Sequence, residues 1–204
     1  MDLQLSVFLL FILFTAGHSL DCYVCSSETG SCVGQQTVKT CTAGFSHCVI
    51  STAVVQVGGI ISTTQFKDCA ASADCQNFSY NFGNERVSTS CCNTDKCNAQ
   101  DAPPDPVLTG KKCFSCEGNI CSNTVKCSGT EDRCITITAT GSGSSNQSTV
   151  VKGCVSKSVC DSTSFNPNVD GISCCSGNLC NGAQSVTQSV LFLCGSLLSY
   201  FLMH

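Results

Sequence analysis

The chain has 204 residues and a formal net charge of −4, with only 12% charged residues and no tryptophan. Its 21 cysteines read as a disulfide framework, which persists in an oxidising, extracellular or luminal compartment. No Lys/Arg cluster exists to neutralise phosphates, since the longest basic run is the Lys111-Lys112 pair, read as solvated connector, so no nucleic-acid partner is expected.

Residues 1–19 read as a signal peptide. Val7 to Phe14 form a short apolar run, too short to span a bilayer, and Gly17 and Ser19 supply the small residues for cleavage before Leu20. The start carries Asp2 and lacks the usual positive flank.

Two copies of one cysteine pattern follow. The first is Cys22, Cys25, Cys32, Cys41, Cys48, Cys69, Cys75, Cys91, Cys92 and Cys97. The second is Cys113, Cys116, Cys121, Cys127, Cys134, Cys154, Cys160, Cys174, Cys175 and Cys180. Both contain an adjacent pair, and both close in Cys-Asn, at Asn98 and Asn181. Units of roughly 70 to 80 residues bury only a marginal core, so covalent staples are expected. Ten cysteines allow about 945 pairings, and spacing alone does not choose among them. Neighbours on an extended strand face opposite ways, however, so Cys91 and Cys92 should take different partners, as should Cys174 and Cys175.

Within the first copy, residues 47–57 and 60–67 are rich in Val, Ile and Thr and flank Gly58-Gly59, a two-residue hairpin signal. Val54, Val55 and Val57 face Ile60 and Ile61 across that turn with no charge among them. Such a tip is either a partner-binding surface or packing against a neighbouring finger or domain. Phe78, Tyr80 and Phe82 alternate further on, which favours packing on one strand face. The stretch 99–110, with Pro103, Pro104 and Pro106, reads as an extended connector. In the second copy, residues 133–140 and 148–154 form a hairpin around a Gly/Ser-rich tip, and Glu131, Asp132 and Arg133 read as a solvated turn. No segment of the mature chain shows helical periodicity, so the fold class is all-β. Asn77 and Asn146 head the glycosylation motifs Asn77-Phe78-Ser79 and Asn146-Gln147-Ser148.

The C-terminus reads as a removed glycosylphosphatidylinositol (GPI) attachment signal spanning 182–204. Small residues follow Asn181, then a polar spacer, then an apolar tail that ends without charge. Asn181 is the preferred attachment residue, with Gly182, Ala183 and Ser185 as alternatives. The tail's apolar stretch falls short of the ~20 residues of a transmembrane helix. Cys194 lies in this tail and leaves the 20 cysteines of the two copies, an even number.

Leu20, Cys22, Tyr23 and Cys25 at the opening, the adjacent cysteines and the closing Cys-Asn resemble the three-finger, snake-toxin-like fold of the lymphocyte-antigen-six/urokinase-receptor (LU) family. The second copy has Phe114 in place of Tyr23. The resemblance implies two tandem LU domains, at 20–98 and 111–181. It also implies the pairs Cys22–Cys48, Cys25–Cys32, Cys41–Cys69, Cys75–Cys91 and Cys92–Cys97, then Cys113–Cys134, Cys116–Cys121, Cys127–Cys154, Cys160–Cys174 and Cys175–Cys180. From the family, Asn98 and Asn181 are expected to bond main-chain groups near the cysteines.

The resemblance further implies a non-catalytic, GPI-anchored surface glycoprotein at the outer leaflet, binding an extracellular or cell-surface protein through its fingers. Alternatives are an inhibitor of a secreted enzyme, like the gamma-class phospholipase inhibitors, and a gamete-surface recognition protein. No cofactor is expected. Cys22-x2-Cys25 and Cys113-x2-Cys116 have zinc-ligand spacing, but full pairing of the cysteines leaves no metal site. His47, the one histidine between the two end signals, reads as a half-buried strand residue, and no Gly-x-Ser-x-Gly motif exposes a serine.

Overall fold

The computed structural model describes residues 19–102, 106–140, 148–161 and 169–182. The expected signal peptide, the Gly/Ser tip with Asn146, and the C-terminal tail beyond Gly182 lie outside them.

The first domain is built from β1 (Asp21–Ser27), β2 (Thr37–Thr40), β3 (Phe45–Val57), β4 (Ile60–Ala71), β5 (Phe78–Asn81) and β6 (Glu85–Cys92). The pairs β1–β2, β3–β4 and β5–β6 form three antiparallel fingers. Alternating Val, Ile and Thr suit half-buried strands, and β3 and β4 pair from Phe45↔Ala71 out to Val57↔Ile60. The turn needs positive φ at both central positions, and Gly58 and Gly59 have φ of 57° and 83°.

The second domain repeats the plan with β7 (Leu108–Glu117), β8 (Ile120–Ser128), β9 (Glu131–Thr140), β10 (Ser148–Ser156) and β11 (Val169–Cys175). A single helical turn, α1 (Lys157–Asp161), departs from the helix-free expectation; it carries Cys160, which is bonded to Cys174. Lys111 and Lys112 belong to β7 rather than to a solvated connector.

Sulfur occupies the interior of both domains. Ten disulfides join Cys22–Cys48, Cys25–Cys32, Cys41–Cys69, Cys75–Cys91 and Cys92–Cys97 in the first domain. The second has Cys113–Cys134, Cys116–Cys121, Cys127–Cys154, Cys160–Cys174 and Cys175–Cys180. These are the pairs that the resemblance implies, and the adjacent cysteines do diverge. Cys22, Cys41 and Cys48 form the buried centre of one domain, and Cys113, Cys127, Cys134 and Cys154 that of the other. Each bond contributes about 2 to 4 kcal/mol by restricting the unfolded chain, which offsets the small apolar core.

The closing asparagines lock the fingers at their base. Asn98 accepts from the Tyr23 N–H and donates to the carbonyls of Tyr23 and Val49. Asn181 does the same with Phe114 and Ile135. The residue before each last cysteine, Lys96 or Leu179, takes φ of 55°.

The two domains are joined edge to edge. Nine strands form one sheet in the order β11-β9-β10-β5-β6-β3-β4-β1-β2, with β7–β8 as a separate hairpin. The junction is antiparallel pairing of β5 with β10, Cys154 opposite Asn81 and Val155 opposite Tyr80. Gly153 makes the approach feasible, because a Cβ there would lie 2.2 Å from the Asn81 carbonyl oxygen.

Candidate functional site

The central finger of the first domain projects its aliphatic tip into solvent. Val57 and Ile60 are 69% and 76% exposed, and Val55 and Ile61 are exposed as well. These four are exposed rather than buried against the second domain, while the other alternative, packing beside a neighbouring finger, applies in part to Val54 and Ile61. Val54 is half-buried. It borders, with Ile61, a recess of about 170 Å³ formed with Asn81, Gly83, Asn84 and Arg86 of the third finger. The Gln56 N–H donates to the Asn84 carbonyl at 2.7 Å, so the third finger braces the central one. The tip is thus a preformed aliphatic edge on a paired hairpin, suited to apolar contact.

At the finger bases, the connector does not simply hang between domains. Lys67, with a fully buried side chain, pairs with Asp101 at 2.9 Å. It also donates to Gln36 Oε1 and the Ala99 carbonyl. Asp101 in turn accepts from Ser31 Oγ and the Cys32 N–H. Burial alone would raise the Asp101 carboxyl, but the bonds from Lys67, Ser31 and Cys32 outweigh it and hold the group below its ordinary value. Residues 99–102 therefore form a strap across the first domain. The alternation of β4 foreshadows this, since Gln65, Lys67 and Cys69 share one strand face.

Glu131 is a correction to the solvated-turn expectation. It opens β9, is 1% exposed, and accepts from the Ser128 N–H at 2.7 Å. Burial pushes its carboxyl up to about 7, against the opposing effects of the Ser128 N–H and the positive charge of Arg86 in the first domain. Asp132 and Arg133 form an ion pair of 2.9 Å that stays partly exposed.

The aromatic residues of the third finger pack as expected, and they also line a groove. The Tyr80 and Phe82 rings stack with centroids 4.8 Å apart. Phe78 and Tyr80 face Ser158 and Val159 of α1 across a space of about 260 Å³. The Tyr80 hydroxyl donates to Glu85 Oε1 at 2.8 Å; burial and that carboxylate raise its pKa, so it stays protonated.

Asn77 is exposed and sits at the interdomain junction. His47 is half-buried in β3 with its ring 3.0 Å from Ser46 Oγ. The zinc-like pairs are separated by their bonds, Cys22 to Cys48 and Cys25 to Cys32. The sulfur triads Cys22/Cys41/Cys69 and Cys113/Cys127/Cys154 are likewise clustered disulfides rather than open ligand sets. Among the described residues, no helix is long and apolar enough to cross a membrane.

Residues 18–100 match the u-PAR/Ly-6 domain, and residues 111–181 match the snake toxin and toxin-like protein model. The rat (Rattus norvegicus) urokinase plasminogen activator surface receptor is 30% identical over 91% of this chain and 62% of its own length. A gamma-type phospholipase A2 inhibitor from Laticauda semifasciata is 27% identical over 69% of this chain and 84% of its own. A CD59 glycoprotein from Papio sp. is 32% identical over 42% of this chain and 60% of its own. The chain thus spans less than two thirds of the length of the rat receptor it matches.

Proposed function

The chain belongs to the u-PAR/Ly-6 family of three-finger proteins, whose members are non-catalytic binding proteins, and on that premise we propose a lipid-anchored cell-surface glycoprotein that binds a protein partner through its first central finger. The observation that carries the partner assignment is the exposed tip of Val55, Val57, Ile60 and Ile61. Exposed apolar patches on stapled extracellular domains mark interaction surfaces, and a hairpin already paired loses little freedom on binding. The names of two relatives, a plasminogen activator receptor and a phospholipase A2 inhibitor, each describe recognition of another protein.

Attachment to the outer leaflet follows from the small-residue, spacer and apolar-tail order of the C-terminus. The anchor is joined to the α-carboxyl of its residue, so the side-chain bonds of Asn181 to Phe114 and Ile135 are compatible with attachment at Asn181, the preferred position, with Gly182, Ala183 and Ser185 as alternatives. Asn77 and Asn146 are the proposed glycan carriers.

The binding assignment is tested with labelled soluble double domain on a panel of live cells. Saturable binding by the parent protein and at least tenfold weaker binding by V57D/I60D, with all ten disulfides intact, is the expected result. Full binding by that variant would remove the tip as the site. A secreted enzyme inhibitor is the second reading, favoured by the 84% coverage of the Laticauda inhibitor. Phosphatidylinositol-specific phospholipase C separates the two, since an anchored protein is released by the enzyme and an inhibitor of this kind is secreted without it.

A further inference from the structure

The glycosylation motif at Asn77 runs from an exposed asparagine into a serine that the second domain covers in the folded protein. Asn77 Oδ1 accepts from the Cys91 N–H at 2.8 Å, and its carbonyl accepts from Ser158 Oγ at 3.0 Å. Ser79 is only 5% exposed. Its N–H donates to Ser156 Oγ at 3.0 Å, its carbonyl accepts from the same hydroxyl, and its own hydroxyl lies 2.8 Å from Thr130 Oγ1. Thr130, Ser156 and Ser158 all belong to the second domain.

A transferase that recognises Asn-x-Ser must reach the asparagine amide and the serine hydroxyl together. In the native molecule the asparagine faces solvent, whereas the hydroxyl is sealed between domains. We infer that Asn77 accepts its glycan only before the second domain docks on β5. This rests on Asn77 being the acceptor, as proposed above. In the transfer, Asn77 Nδ2 forms a bond to the anomeric carbon of a lipid-pyrophosphate-linked oligosaccharide. The anomeric C–O bond breaks, the lipid pyrophosphate leaves with the electron pair, and the nitrogen loses a proton to a base of the transferase.

Synthesis from the N-terminus supplies the window. Thr130 and Ser156 lie 53 and 79 residues beyond Asn77, which at about 5 to 20 residues per second delays the seal by roughly 3 to 16 s. Asn77 itself remains exposed with the joint closed, which leaves room for a glycan already in place.

The test uses the full chain carrying N146Q, folded without glycan and checked for ten disulfides. It is incubated with purified oligosaccharyltransferase and lipid-linked oligosaccharide, either native or after reduction and alkylation. Transfer to the reduced chain at least tenfold faster than to the native chain is the expected result. Equal rates would overturn the order of events. Transfer to neither would remove Asn77 as an acceptor, and the inference with it.

Discussion

The two domains share a cysteine frame but protect the sheet edge beside the central finger differently. In the first domain, β4 is covered by that domain's own β1, with Cys25, Ser26 and Ser27 opposite Lys67, Phe66 and Gln65. In the second, the corresponding strand β10 is covered by β5 of the first domain. A lysine stands two residues before the sixth cysteine in both copies, as Lys67 and Lys152. Lys67 is buried under the strap from Ala99 to Asp101, and Lys152 is only half-buried. The first domain is thus completed by the chain that leaves it, and the second by its neighbour. One disulfide pattern accommodates both arrangements because it holds the finger bases and leaves the edges open to different partners.

Cutting the strap should cost the most. Asp101→Asn leaves the Lys67 ammonium buried without its counter-charge and should destabilise the first domain by about 3 to 5 kcal/mol in denaturant unfolding. Adding Lys67→Met should recover much of that loss. An equal loss in both domains would show that the strap is not specific to the first.

Acidity separates the domains next. The Glu131 carboxyl, at about 7 when folded and near 4.5 when free, binds its proton more tightly in the native state. Stability of the second domain should therefore rise as pH falls from 8 toward 5, by on the order of 1 to 3 kcal/mol, and Glu131→Gln should abolish the slope. Asp101 works in the opposite direction. Its folded pKa is depressed, so its contribution is present above about pH 4 and lost as pH falls through the depressed value. Thermal unfolding followed by domain-resolved hydrogen exchange measures both trends.

A milder change is expected at the joint. In Gly153→Ala the new methyl meets the Asn81 carbonyl, which should weaken docking by about 1 to 3 kcal/mol while both stapled domains stay folded. Amide protection should fall at β5 and β10 and persist at the β3–β4 pairing. Unchanged protection at β5 would mean that β10 does not need its neighbour.

Much of this architecture is legible in the residues themselves. The Gly58-Gly59 hairpin follows from alternation and turn chemistry, and the doubled spacing gives two copies of one all-β unit. The aliphatic tip is equally visible, but its exposure is not. Whether Val57 and Ile60 meet water or another domain depends on contacts distant in sequence. Glu131 sits between Thr130 and Asp132 in a polar run and carries no local mark of burial. Lys67 does carry one, because it shares strand parity with Cys69.

Cysteine spacing, Gly-Gly turns and period-two alternation act over short separations, so the doubled unit and its strand pattern can be read along the chain. Which strand covers β10, which charges are buried, and the sealing of Ser79 at a joint emerge only in the assembled fold. Those outcomes depend on partners distant in sequence: 31 to 34 residues for Lys67 under the strap of the first domain, and 51 to 81 across the joint between the domains.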